Sequence, residues 1–220
     1  DNKKTGRRCR RPVLVETVEL LADRAGGGFV GGRDADDGPV ARVPALFDRV
    51  QQVEADIARV VGPSVVTPWQ ERIVAIRTPK DAERVVAEMQ AFHVLDPACG
   101  CGNFLYVVYR EMKRLEAALA RKWTEVHRAG AKRRADIRPP PPGPWFTVEQ
   151  LHGIEVEGFA AFLARVVLWI GEHLASRELA LDDPTLPLKD LDGTVRHADA
   201  LVINWPRPEG ELTIVGNPPY

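Results

Sequence analysis

Val94-Leu95-Asp96-Pro97-Ala98-Cys99-Gly100-Cys101-Gly102-Asn103-Phe104-Leu105 is the stretch on which the reading of this 220-residue chain turns. A short apolar run (Phe92, Val94, Leu95) ends on an acid and passes through two glycines one residue apart. It continues into Phe104-Leu105-Tyr106-Val107-Val108-Tyr109, the buried side of a helix. Strand, glycine turn and helix N-terminus make the nucleotide-binding corner of a doubly wound sheet. The glycines permit positive φ and let a ligand rest on bare backbone. The helix start offers unpaired N–H groups. Asp96, at the strand end, suits a cationic or hydroxyl-bearing ligand better than a pyrophosphate. No third glycine completes a dinucleotide fingerprint, and no Gly-Lys-Ser/Thr makes a P-loop. Taken alone, the stretch is a generic nucleotide corner or an ordinary tight βα turn.

The end of the chain narrows the choice. Leu212-Thr213-Ile214-Val215-Gly216 reads as a buried strand, and Asn217-Pro218-Pro219-Tyr220 follows it. Asp-Pro-Ala-Cys-Gly-x-Gly-Asn-Phe early and Asn-Pro-Pro-Tyr late resemble the amino-group DNA methyltransferases that use S-adenosylmethionine. The motif order, cofactor before catalysis, is similar to that of the gamma-type adenine-N6 enzymes. The helix Leu105 to Glu116 resembles the MmeI-like branch. The resemblance is specific from Trp69 to Tyr220. It implies an α/β, Rossmann-like methyltransferase fold with an incomplete parallel sheet and an N-terminal helical layer. The implied division is a helical region with a glycine-rich loop over 1–68 and a catalytic domain over 69–220.

The residues between the two motifs fit this frame. Leu151-His152-Gly153-Ile154-Glu155-Val156-Glu157 reads as a second strand, and Phe159 to Ser176 as the helix after it. A carboxylate at the end of that strand accepts hydrogen bonds from both hydroxyls of a ribose. Glu155 matches that position in the family. Glu157 is the fallback, with favouring the next helix N-terminus as the other role open to either acid. Val195 to Leu201 reads as the third strand and its end. Asp199-Ala200-Leu201 resembles the family's third motif, whose acid accepts from the adenine amine of the cofactor. An Asp capping the turn after a strand is the alternative there. The resemblance thus places S-adenosylmethionine against Asp96, Ala98, Gly100, Gly102, Asn103, Phe104, Glu155, Asp199 and Ala200. It gives catalysis to Asn217, Pro218, Pro219 and Tyr220. Asn217 and Pro218 supply carbonyl oxygens to the target amine, and Tyr220 stacks on a base rotated out of duplex DNA. Cytosine-N4 enzymes usually carry serine in place of Asn217, so the asparagine argues for adenine. A non-catalytic nucleotide-binding remnant is the competing reading from another class.

Elsewhere the sequence constrains less. A net charge of −1 does not mark a nucleic-acid binder, so contacts to DNA must come from local patches. One such tract runs through Arg121, Lys122, Arg128, Lys132, Arg133, Arg134 and Arg138, with a solvated helix face as its alternative role. Prolines Pro139 to Pro142 and Pro144 form a stiff segment after it. Cys9, Cys99 and Cys101 are too few for a disulfide scaffold and lack zinc-site spacing, so no metal is expected. No signal peptide is visible and no apolar run is read as membrane-spanning, which gives a cytoplasmic expectation with no membrane partner. Lys4-Thr5-Gly6 with Pro12 to Val15 is similar to an upstream cofactor-contacting segment of the family, but Cys9-Arg10-Arg11 replaces its tyrosine-threonine pair. Pro12 to Ala22 and Val43 to Val61 carry helical spacing, separated by a glycine- and aspartate-rich loop from Gly26 to Pro39. Further helices start at Pro68 and Pro79. The chain stops just after Asn-Pro-Pro-Tyr, where the family continues with more strands and a DNA-recognition domain. The expectation is therefore a fragment inactive alone, completed by a chain that supplies the C-terminal half and target recognition. Trp205, in a proline-fixed loop, is expected to pack.

Overall fold

The computed structural model describes residues 55–131, 138–178 and 191–218. The expected helix at Pro12–Ala22, the Gly26–Pro39 loop, most of Val43–Val61, Lys132 to Arg134, Pro219 and Tyr220 lie outside the described residues. From Ile57 onward the chain forms one compact unit.

That unit opens with helical residues 57–61, which run through a π-helical turn, Gly62–Val66, into helix α1, Thr67–Ala75. The sequence suggested a break before Pro68. Instead the wide turn absorbs Pro63, which has no N–H to give to an ordinary helical ladder. The wider turn also aligns a stripe. Ile57, Val61, Val65, Trp69 and Ile73 are all buried and stand four residues apart. On an unbroken α-helix such a stripe drifts by about 40° per step, and a turn with more residues winds it back.

Helix α2, Pro79–Gln90, begins at a capping box. The Thr78 hydroxyl accepts from the Asp81 N–H at 3.2 Å, and Asp81 Oδ2 accepts from the Thr78 N–H at 2.9 Å. The Thr78 hydroxyl also donates to Asp81 Oδ2 at 2.8 Å, and this bond, ahead of those from the Arg77 and Thr78 N–H groups, holds the Asp81 carboxyl below its usual range. The helix buries Ala82, Val85, Val86 and Met89. Its C-terminal carbonyls are met from far along the chain. Gln150 Nε2 donates to the carbonyls of Met89 at 2.9 Å and Phe92 at 2.8 Å, and its Oε1 accepts from the Thr147 N–H at 2.8 Å.

Four strands follow: β1 His93–Asp96, β2 Leu151–Glu155, β3 Val195–His197 and β4 Leu212–Ile214. They form one parallel sheet in the order β3-β2-β1-β4. Helix α3, Asn103–Gly130, connects β1 to β2, and helix α4, Gly158–Glu178, connects β2 to β3. β4 then returns to the far side of β1. The strand order reverses between β1 and β4, and ligands of open α/β sheets bind in the crevice at such a switch point. The α/β fold with a partial parallel sheet is as expected. The strands are shorter: β2 ends at Glu155 and β3 at His197, where turns begin.

α3 packs Leu105 to Tyr109 without an exposed position, against β1, β2 and α4. The two helices approach closely at Gly171, where a Cβ would stand 2.8 Å from the Tyr106 ring. Burial pushes the Tyr109 hydroxyl far above its ordinary pKa, with Glu172 the largest charge acting on it. A buried ion pair fastens the run into β2. Lys113 Nζ donates to Glu116 Oε2 at 2.6 Å, while Glu116 Oε1 accepts from the Trp145 N–H at 2.9 Å.

α4 departs from one expectation. Gly158–Ala175 is long and apolar enough, by length and composition, to cross a membrane. A crossover helix facing both a sheet and another helix needs apolar side chains around much of its circumference. Ala161, Ala164 and Leu168 are fully buried and the helix packs on α3, β2 and β3, while Phe159 and Phe162 stay exposed.

Candidate functional site at the ends of β1, β2 and β4

The site is built where Asp96 ends the central strand. Asp96 is 1% exposed, and its Oδ1 accepts from the Ala98 N–H at 3.1 Å. The chain then turns back over β2. Cys99 N–H donates to the Ile154 carbonyl at 3.0 Å, and Gly102 N–H to the Cys99 carbonyl at 2.8 Å. Gly100 and Gly102 have φ of +53° and +82°, so the turn uses the left-handed conformations that its glycines allow.

The two glycines differ in surroundings. A Cβ at Gly100 would meet nothing within 4 Å, so the turn presents open backbone there. Gly102 starts α3 and has no side chain with which to cap the first-turn N–H groups of Asn103 and Phe104. A Cβ on it would lie 3.0 Å from Ala164 Cβ and 3.1 Å from Ala164 Cα. Gly102→Ala therefore combines left-handed strain with a clash against α4. Its expected cost is about 2 kcal/mol of stability, measured by urea unfolding. Gly100→Ala meets the strain alone and is expected to lose less.

A second carboxylate enters from β2. Glu155 Oε2 accepts from the Gly100 N–H at 2.8 Å, and Oε1 from the Glu157 N–H at 2.9 Å. The Glu155 carbonyl accepts from the Ala198 N–H at 2.9 Å, tying β2 to the start of the third loop. Glu157, the fallback acid, is turned to another task. Its Oε2 accepts from the Ala160 N–H at 2.7 Å and caps α4. Because the strand ends at Glu155, side-chain alternation no longer carries on to Glu157.

Asp96 and Glu155 thus hold two sides of one glycine turn. Burial pushes the Asp96 carboxyl up to about 6, with the Glu155 charge adding to the rise and the Ala98 N–H opposing it. Burial, with the charges of Asp96 and Glu155, pushes the Cys99 thiol up to about 12. Cys99 is therefore a protonated packing residue at neutral pH, and it rests on Gly153, where a Cβ would stand 2.9 Å from Sγ. Gly153 is a site residue that the sequence reading missed. A glycine inside an otherwise apolar strand was the available signal for close backbone approach.

The third loop carries Asp199 and Ala200. Asp199 is exposed, and its Oδ1 accepts from the Leu201 N–H at 2.8 Å. Its carbonyl accepts from the N–H groups of Val202 and Ile203 at 3.1 and 3.2 Å. It therefore shapes the turn after β3. Trp205, expected to pack, is at the surface instead and donates from Nε1 to the Ala200 carbonyl at 2.8 Å. Val156, Phe159, Leu201 and Val202 also stay exposed on the segments following β2 and β3.

On the other side of β1, the Val215 N–H donates to the Leu95 carbonyl at 2.9 Å and extends the ladder past Ile214. Gly216 follows with φ +149°, and Asn217 and Pro218 are exposed beyond it. Asp96, Ala98, Gly100, Gly102, Asn103, Phe104 and Glu155 are thus brought together, with Asn217 and Pro218 starting from the adjacent strand. Asp199 and Ala200 sit past β3, two strands from β1. The described residues of the basic tract, Arg121, Lys122, Arg128 and Arg138, lie elsewhere. α3 runs away from the glycine turn for about 42 Å. Near its far end Lys122 pairs with Glu125 at 2.8 Å, and Arg138 with Glu83 at 2.6 Å.

A parallel sheet with its switch point at the central strand, an acid there and another on the neighbouring strand make a Rossmann-like α/β domain. Residues 74–220 match the family described as MmeI, DNA-methyltransferase domain, and the chain belongs to that family. It is 33% identical over 148 residues to DNA methyltransferase A of Bacillus subtilis (strain 168), covering 63% of this chain and 16% of that protein. Among solved structures it resembles the type IIL restriction-modification enzyme MmeI in complex with DNA, with a TM-score of 0.53 and 29% identity. That likeness covers 69% of this chain and 20% of MmeI.

Proposed function

We propose that these residues form the cofactor and catalytic face of an S-adenosylmethionine-dependent DNA adenine-N6 methyltransferase of restriction-modification or defence type, working in the cytoplasm on double-stranded DNA. The observation that carries this reading is the convergence of Asp96 and Glu155 on one glycine turn, beside the strand that leads into Asn217-Pro218. The residues suit the cofactor. A buried carboxylate with a raised pKa favours a cationic partner, the turn offers open backbone at Gly100, and the helix start is uncapped. Asp96, Ala98, Gly100, Gly102, Asn103 and Phe104 would hold its amino-acid portion, Glu155 its ribose, and Asp199 with Ala200 its adenine. When bound, S-adenosylmethionine supplies an electrophilic methyl group on a sulfonium.

The chain's own part is to make a poor nucleophile competent. The lone pair of an adenine amine is delocalised into the ring. The side-chain carbonyl of Asn217 and the backbone carbonyl of Pro218 accept the two amine hydrogens, and this draws the nitrogen towards tetrahedral geometry. Proline's fixed φ holds its carbonyl in place before reaction. Pro219 and Tyr220 complete the motif in this proposal, Tyr220 stacking on the extruded base. We assign the catalytic domain to residues 69–220 and the preceding residues to a helical region.

The matched relatives have at least four-fifths of their length outside the region this chain covers. Methylation of DNA is therefore proposed to need further sequence, in the same chain or in a partner chain, for target recognition. Expression in a host without DNA methylation tests this. The chain alone is compared with the chain fused to the sequence that follows the matched region in DNA methyltransferase A. N6-methyladenine from the fusion only is the expected result. N4-methylcytosine would overturn the choice of base, and methylation by the chain alone would overturn the need for more sequence.

A further inference from the structure

Gly216 stands between the two halves of the site and belongs to neither motif. Its φ is +149°, and a Cβ there would fall 2.5 Å from Asp96 Oδ1 and 3.1 Å from Asp96 Cγ. The backbone on either side cannot swing away freely. Before it, the Val215 N–H is fixed to the Leu95 carbonyl at 2.9 Å. After it, Pro218 restricts Asn217 to extended conformations. Among the glycines with left-handed φ, Gly100 faces open space and Gly102 faces Ala164. Gly216 alone among these three is pressed onto a carboxylate.

We propose that Gly216 is a positioning residue. By laying bare backbone against the Asp96 carboxylate, it fixes how closely Asn217 approaches the cofactor acid. This rests on the reading of Asp96 as a cofactor ligand and Asn217 as the acceptor of the target amine. Any side chain at 216 displaces Asp96, swings Asn217 outward, or does both. The methyl donor and the amine to be methylated must meet between those two groups, so the separation that Gly216 sets governs alignment. At Gly100 a substitution meets backbone strain alone. At Gly216 the strain comes with a direct conflict at a site carboxylate.

Three measurements on the 220-residue chain test the proposal. The first follows the Asp96 carboxyl carbon by NMR across pH in the ligand-free protein. The groups around it are the Ala98 N–H, the Glu155 carboxylate and the Cys99 thiol. In Gly216→Ala its midpoint should move by about half a pH unit or more, as a displaced carboxylate does. The second is a stability cycle with Asp96→Ala. The penalty of Gly216→Ala should shrink once the carboxylate is gone, whereas simple backbone strain adds independently. The third is S-adenosylmethionine binding, which Gly216→Ala should weaken by about tenfold or more. Should Gly216→Ala fail to fold, Asp96→Glu pushes one more methylene towards Gly216 and should shift the Asn217 side-chain amide signals. An unmoved Asp96 midpoint, additive penalties, native-like cofactor affinity in Gly216→Ala, or unmoved Asn217 signals in Asp96→Glu would overturn the proposal. If the unaltered chain binds no cofactor while the first two results hold, the contact stands and the cofactor reading fails.

Discussion

Asp96→Asn is expected to make the ligand-free chain more stable at pH 7 while removing its capacity to bind the cofactor. Asp96 is buried at the end of the central strand, and its carboxyl is pushed up to about 6 from the usual 3.8. Between those two values the folded chain keeps a proton that the unfolded chain has released. Stability therefore falls as pH rises through about 4 to 6, and the whole deficit is present above the folded pKa. Two pH units correspond to about 3 kcal/mol, so removing the ionisation should return about 2 kcal/mol at neutral pH. Asparagine keeps an oxygen for the Ala98 N–H and cannot ionise. Thermal unfolding at pH 7.0 and pH 4.0 (values chosen either side of about 4 to 6) checks this. A gain of several degrees at the higher pH that fades at the lower one is expected. An equal change at both values would show that Asp96 carries no deficit of this kind. The charge that destabilises the empty site is the charge a cationic ligand would use.

Gln150→Leu should produce the largest loss of stability among the single changes considered. The side chain is 7% exposed and serves four backbone groups at once, the Gln90 carbonyl at 3.3 Å among them. It meets the Met89 and Phe92 carbonyls at the end of α2 and the Thr147 N–H before β2. Leucine fits the space approximately and takes the amide away from the Phe92 carbonyl and the Thr147 N–H, while the Met89 carbonyl keeps the Phe92 N–H at 3.3 Å. Each orphaned group costs about 1–3 kcal/mol, so a total of about 3–5 kcal/mol is expected. Urea unfolding with an unchanged denaturant slope is the test. A loss below about 1 kcal/mol would mean that water or a neighbour replaces the amide.

These cases show which parts of the molecule sequence patterns reveal. The apolar run into Asp96, the glycine turn and the long helix were legible because strand, turn and helix chemistry occupy successive residues there. Glu155 stood out through the family resemblance, not through strand length or spacing. Its rival Glu157 was not separable, because the strand's end at Glu155 is set by the turn that follows. The continuous helix through Pro63 was hidden, since a proline usually signals a break and the π-helical turn is a tertiary accommodation. Gln150 gave no signal either. A polar residue before a strand reads as loop, and its carbonyl partners lie about sixty positions away. Gly216 belongs to the same class. Its constraint arises from the pairing of β4 beside β1, a register that no local pattern encodes.

The central claim is that Asp96 and Glu155 hold one cofactor from adjacent strand ends. The most direct measurement is calorimetric titration of S-adenosylmethionine into the purified chain and into Asp96→Ala and Glu155→Ala, with each variant shown to be folded. Saturable binding by the unaltered chain, lost in both variants, is the expected result. Binding that survives both substitutions, or no binding by the folded, unaltered chain, would contradict it.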